Sequence, residues 1–212
     1  MLTANLIGKL SLNSSFILYL IIYLPQIVHN RHEKHLANLS IHMHWMLYVG
    51  YFLDLFYGFS YQLQWQYKTV SIVSLGLLTI QHIQIVRGFW KNKQMNQVCL
   101  NLSLFLLMFI AVIYFFNRLD AHLSPNTTLI IGNVSRIIFL IYCLPQIVKN
   151  RATNSSNAIN VHFIYLSLTL SVLDFISAWC LDWGWPNKLA APISVVLMLI
   201  LLKQRLQAAN NI

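Results

Sequence analysis

Apolar residues run along this chain in long blocks separated by short polar breaks, the pattern of a polytopic membrane protein rather than of a soluble core. Crossing a hydrocarbon layer ~30 Å thick takes about 20 residues of helix. Seven blocks meet that length, at roughly 6–28, 39–61, 67–87, 98–117, 127–149, 160–181 and 187–205. The pattern therefore predicts an all-α membrane protein with seven transmembrane helices.

The blocks are related to one another. Leu24-Pro25-Gln26-Ile27-Val28-His29-Asn30-Arg31 returns 120 positions later as Leu144-Pro145-Gln146-Ile147-Val148-Lys149-Asn150-Arg151, with seven of eight residues identical. The register holds without a gap from Asn13–Gln84 to Asn133–Gln204, with 21 identities in 72 pairs. Ser15/Ser135, His42/His162, Asp54/Asp174, Trp65/Trp185 and Lys68/Lys188 are among them. Shared apolar composition does not match Asp, His, Pro, Trp and Lys, so this is an internal repeat. Spans one to three form the first copy and spans five to seven the second, with span four an unrepeated linker. The expected layout is 3+1+3: a first three-helix repeat over 1–90, a linker helix region over 91–125 and a second three-helix repeat over 126–212. Three plus one is even, so both copies enter the membrane in the same direction, as parallel repeats about an axis along its normal.

Composition narrows the class. The chain is 58% apolar and 9% charged, against roughly 25% charged for a soluble domain. Its net charge of +9 is carried by residues scattered in ones and twos at the ends of apolar runs. That is a topology signal, and no nucleic-acid partner is expected. Nine Lys and Arg fall on one side (Arg31, Lys34, Arg87, Lys91, Lys93, Lys149, Arg151, Lys203, Arg205) and four on the other (Lys9, Lys68, Arg118, Lys188). The positive-inside rule puts the N-terminus outside and the C-terminus in the cytoplasm. Cys99, Cys143 and Cys180 lie in apolar segments with no disulfide framework or metal-type spacing, and no metal or cofactor is expected.

The repeated motif carries the first candidate chemistry. A proline inside a span has no N–H for the helical bond and crowds the carbonyl four residues upstream. Pro25 and Pro145 should therefore free the Ile21 and Ile141 carbonyls and bend their helices. Gln26 and Gln146, beside the breaks, bring amides able to satisfy freed backbone groups or a partner helix. The matched positions read as paired hinges near the cytoplasmic ends of spans one and five.

Asp54 and Asp174 cost most to bury, about 2.5–3.5 kcal/mol each at a bilayer centre on insertion scales, so each must face a cavity, a partner or a proton. Arg136 enters span five at a similar depth and is expected to pair with one of them, Asp174 within its own copy. Asp54 is then the substrate or proton carboxylate: Gly50 and Gly58 leave room for a ligand, and Tyr51 and Tyr57 offer stacking or cation–π contacts. His42 and His162 match across the repeat and are candidate proton relays.

The doubled Pro-Gln motif, the 3+1+3 layout and the basic residues after each motif resemble the PQ-loop family, which includes cystinosin, the lysosomal cationic amino-acid exporters and, more distantly, the SWEET sugar carriers. The resemblance spans essentially the whole chain. It implies alternating access with Pro25-Gln26 and Pro145-Gln146 as hinges. Lys34 with Leu39-Ser40 echoes the amino-acid branch, whereas Asn154 with Ile159-Asn160 departs from it. His42 and His162 stand where some proton-coupled relatives carry Asp, so a carboxylate-based coupling does not carry over directly. The expected function is a carrier of a small polar solute, most of all an amino acid, with protons as a possible second cargo. A SWEET-like sugar facilitator and a KDEL-receptor-like membrane receptor without net transport are the alternatives; no enzyme motif is present. Short loops favour a cell (inner) membrane, with a lysosomal membrane the alternative. Oligomeric state is open.

Overall fold

The structure is a computed structural model that describes residues 2–32, 36, 38–117, 124–153, 155–183 and 185–210. The described residues form nine helical segments: α1 (Leu2–Ile21), α2 (Leu24–His29), α3 (Ile41–Ser60), α4 (Trp65–Lys91), α5 (Met95–Asn117), α6 (Pro125–Ile141), α7 (Leu144–Thr153), α8 (Val161–Cys180) and α9 (Trp185–Asn210). α1 with α2, and α6 with α7, are each one rod with a break, which leaves seven rods. Lys34, Arg118 and Asn154 lie outside the described residues.

Both breaks follow from proline. Pro25 and Pro145 are the second residues of α2 and α7, and the helices before them stop at Ile21 and Ile141, four residues upstream. Ile22-Tyr23 and Tyr142-Cys143 fill the interruptions, with Tyr23 and Cys143 buried. Other local devices recur 120 positions apart. Ser40 and Asn160 cap the starts of α3 and α8 by accepting from the Met43 and His162 amides. Gln62 and Asp182 take left-handed φ of 49° and 52° in the turns after those helices. Lys68 sits 5.2 Å from the Phe59 ring centroid and Lys188 5.2 Å from that of Trp179.

Six rods are long and apolar enough to cross a membrane: Thr3–His29, Trp65–Lys91, Met95–Asn117, Pro125–Thr153, Val161–Cys180 and a window at Lys188–Gln207. The exception is α3. It has the length, 20 residues, but His42, His44, Trp45, Asp54 and its tyrosines lower its hydropathy. Burial explains how it tolerates the deeper ones: twelve of its residues are buried, His44, Asp54 and three tyrosines among them, so these side chains meet protein rather than lipid.

Packing interleaves the two halves of the chain. α1 packs chiefly on α8, and α6 on α3; α3 then packs on α4, and α8 on α9. The core lies where they meet, around Tyr23, Leu47, Tyr51, Leu78, Phe163 and Met198. α5 packs on α4 and turns Leu106, Leu107, Phe109 and Ile113 outward, as a peripheral helix in lipid would.

Candidate functional site

The two glutamines of the repeated motif do not turn back to the Ile21 and Ile141 carbonyls; each reaches the opposite half of the chain. Gln26 donates from Nε2 to the Ala158 carbonyl (3.0 Å) and to Asn30 Oδ1 (2.7 Å), and its Oε1 accepts from the Asn160 amide (2.8 Å). Gln146 donates to the Asn38 carbonyl (3.1 Å) and to Asn150 Oδ1 (2.7 Å), and accepts from the Ser40 amide (2.6 Å). The turn held by Gln26 leads into α8 and the turn held by Gln146 leads into α3. His29 and Lys149 repeat the crossing on the Asn157 and Leu39 carbonyls, at 2.8 and 2.9 Å. Both glutamines are buried, so these bonds replace water that neither amide could reach.

The crossed latches differ in their backing. Asn150 Nδ2 donates to Gln204 Oε1 at 2.9 Å. The matching atoms of the first half, Asn30 Nδ2 and Gln84 Oε1, are buried without partners. Gln84 and Gln204 both donate to the backbone of the motif, on the Ile27 and Ile147 carbonyls (3.0 and 3.2 Å).

Asp54 lies deep in α3, buried, and is held by hydroxyls. Tyr67 donates to Oδ1, Ser71 to Oδ2 at 2.8 Å, and Ser135 of α6 approaches Oδ1 at 3.5 Å while donating to the Gly50 carbonyl at 3.0 Å. Asp174 accepts from Tyr19 of α1 at 2.5 Å and lies beside Ser15. Ser135 and Ser15 are repeat mates, and each serves the carboxylate of the other half. Tyr51 lies within electrostatic reach of both carboxylates, its ring packed edge-on to Phe139 at 4.7 Å and to Tyr23 at 6.0 Å.

The expected Arg136–Asp174 pair does not form. Arg136 projects from α6, which packs on α3, whereas α8 carries Asp174 against α1. Its guanidinium lies over the Tyr57 ring at 5.6 Å, close enough for its charge to act on Asp54 and Tyr67 but outside ion-pair distance. Lys188, at the edge of the last span, forms an ion pair at 2.6 Å with Asp182 of the preceding turn, and the lysine holds the exposed Asp182 carboxyl below the usual range. The glycines beside Asp54 do not leave room for a ligand either. A Cβ on Gly50 would meet Phe139 at 3.0 Å and one on Gly58 would meet Tyr67 at 3.0 Å, so rings already fill that space.

Gly132 makes the Tyr57–Arg136 stack possible, since a Cβ there would lie 2.6 Å from the Tyr57 ring. Gly132→Ala gains about 1 kcal/mol of helix propensity. Overpacking against a buried ring that Tyr61 and Tyr67 flank costs about 1–3 kcal/mol. The steric cost outweighs the helical gain, so the variant should melt below wild type, as a thermal melt in detergent will record.

His42 and His162, identical across the repeat, are exposed near the starts of α3 and α8. Among the described residues the buried histidines are His44 and His82, which touch each other. Their repeat mates are Ile164 and Leu202, so no doubled signal marks them in the sequence. Tyr19, Tyr67 and Ser71 are likewise unmarked, because their mates are Phe139, Asn187 and Ala191. No group of three metal-ligating side chains occurs among the described residues.

Residues 7–67, from α1 through the start of α4, match the family model for the PQ loop repeat. Comparison with curated proteins gives no match.

Proposed function

We propose that this chain, which belongs to the PQ-loop family, is a membrane carrier for a small polar solute, an amino acid first of all. The reading takes the seven rods as seven spans in a 3+1+3 layout, with parallel repeats over 1–90 and 126–212 and the linker helix over 91–125. One observation carries it: the crossed latches of Gln26 and Gln146 tie each half's broken helix to the other half's turn, at one end of the bundle. Alternating access needs such an arrangement. Bonds that close one end must be able to part when the halves rock, and a broken helix beside each latch supplies the joint. Pro25 and Pro145 are the joints and the glutamines the closures.

The buried carboxylates supply the second element. Asp54 has the charge of Arg136 nearby; Asp174 has Tyr19 and Ser15. With no cation beside it among the described residues, Asp174 is the group we assign to proton or solute-ammonium binding, while Asp54 with Arg136, Tyr57 and Tyr67 is the more structural cluster. His42 and His162 remain at the cytoplasmic mouth as surface groups. The expected membrane is a cell membrane.

Reconstitution into liposomes with labelled amino acids and sugars, with and without a pH gradient, tests the reading. Amino-acid uptake that responds to the gradient supports it; sugar uptake would move the assignment to a facilitator, and binding without uptake to a receptor. The topology has its own test. A reporter fused after Ile212 should be active only in the cytoplasm, as the nine-to-four bias of basic residues requires. Activity on the outer face would overturn the span assignment.

A further inference from the structure

An apolar groove of about 340 Å³ runs between α3, α4 and the peripheral α5. Tyr48, Phe52 and Leu55 of α3 are buried and make its floor. Leu75 of α4 and Val112 of α5 stand in its walls, while Ile72 and Phe109 at the edges are exposed. The groove therefore opens between α4 and α5, towards lipid. Rings fasten α5 to the floor near both ends, Phe105 to Tyr48 at 5.9 Å and Phe116 to Phe59 at 5.1 Å.

Spacings of four, three and four put Lys68, Ile72, Leu75 and Thr79 on one face of α4. Thr79 marks the inner end. Its hydroxyl donates to the Leu75 carbonyl at 2.8 Å, so Tyr48 donates to Thr79 Oγ1 at 3.0 Å. Tyr48 carries the one hydroxyl of the lining, and this bond satisfies it. The groove thus offers a polar solute no partner. Lys68 marks the outer end, where its Nζ lies 5.2 Å from the centroid of the Phe59 ring that packs on Phe116.

Length and charge together identify the occupant. Lys68 and Thr79 are eleven residues apart, about 16 Å at 1.5 Å per residue. That is half of a hydrocarbon layer ~30 Å thick, the depth of one leaflet. A helix of a second copy would cross the whole layer and run past the closed end. A lipid tail would stop there, with its headgroup level with the lysine. Lipid tails are as apolar as these walls, so burial alone does not select the molecule. Fit to the groove and the charge at its mouth do.

We propose that this groove holds one acyl chain of an anionic phospholipid, whose phosphate sits at Lys68. The lipid belongs to the leaflet on the Lys68 side, the outer one in the orientation proposed above. The site is independent of the solute reading, since it needs only that these helices span a membrane.

The test uses the full chain in mild detergent, with phosphatidylglycerol and phosphatidylcholine of matched chains as probes and native mass spectrometry as readout. One phosphatidylglycerol should bind per chain, about fivefold more tightly than phosphatidylcholine, the preference one lysine gives an anionic headgroup. Lys68→Gln should erase that preference, and Val112→Trp, which fills the groove, should remove the bound lipid. A wild-type preference in Lys68→Gln, or wild-type binding in Val112→Trp, overturns the proposal. So does a dimer mass that Val112→Trp returns to monomer, because a second copy then fills the groove. Should Val112→Trp not fold, phosphatidylglycerol with a photoreactive group at the end of its chain decides on the wild-type protein. Crosslinks should fall at the closed end, around Tyr48, Leu75 and Phe105. Crosslinks spread over the exposed faces of α1 and α6 overturn the proposal.

Discussion

Gln146→Leu is expected to lower stability by about 2–6 kcal/mol, and Gln26→Leu by a similar amount, whereas Pro25→Ala and Pro145→Ala should melt close to wild type. Leucine keeps the volume of glutamine but removes three bonds. The Ser40 amide and the Asn38 carbonyl lose their glutamine partner in the first variant, the Asn160 amide and the Ala158 carbonyl in the second. Each stranded group costs about 1–3 kcal/mol. Proline to alanine works on the other half of the device. It returns an N–H four residues after Ile141 or Ile21 and gives the break a helical alternative, while the cross-bonds persist. The proline variants should therefore straighten their helices and slow exchange without loss of fold. Thermal melts and uptake rates on the four variants separate the roles. Gln146→Leu with a wild-type melt, or a double Pro→Ala variant with unchanged uptake, would sink the latch-and-joint mechanism.

Asp174→Asn is expected to leave the fold nearly intact and to bring uptake driven by a pH gradient down to the liposome background. Asparagine keeps an acceptor for Tyr19 but can neither gain nor lose a proton. Asp54→Asn should behave oppositely, with a clear loss of stability of about 2–3 kcal/mol. Two hydroxyl bonds to a charged group weaken, and the nearby Arg136 loses the carboxylate its charge acts on. Melting temperatures and gradient-driven uptake of the two variants give the answer. If both melt like wild type and transport with unchanged pH dependence, the buried carboxylates play no part.

The reversed roles we assign to Asp54 and Asp174 show where sequence reading ends. The repeat, the proline breaks and the burden of two buried carboxylates are legible from residue types and spacing alone. Depth along a helix is legible too, which is why Arg136 is expected near a carboxylate. Partner choice is not, because repeat register groups residues by copy while packing pairs α6 with α3 and α1 with α8. Symmetry also singles out histidines other than the buried ones. His42 and His162 are identical in both copies yet exposed, and the buried pair His44–His82 belongs to one copy only. Gly50 and Gly58 read as vacant space beside Asp54, yet Phe139 and Tyr67 fill it. A missing Cβ reveals that something comes close, not what.

The crossed latches also set a timetable for biogenesis. Gln26 and the Asn160 amide that it accepts from are separated by 134 residues. At ribosomal speeds of about 5–20 residues per second, roughly 7–27 s pass between the synthesis of one and of the other. Through that interval the first broken helix is already made while its amide lacks the turn that closes it. Gln146 has no such delay, since Asn38 and Ser40 precede it. The second half thus docks on a finished target as it emerges, and its arrival completes the first.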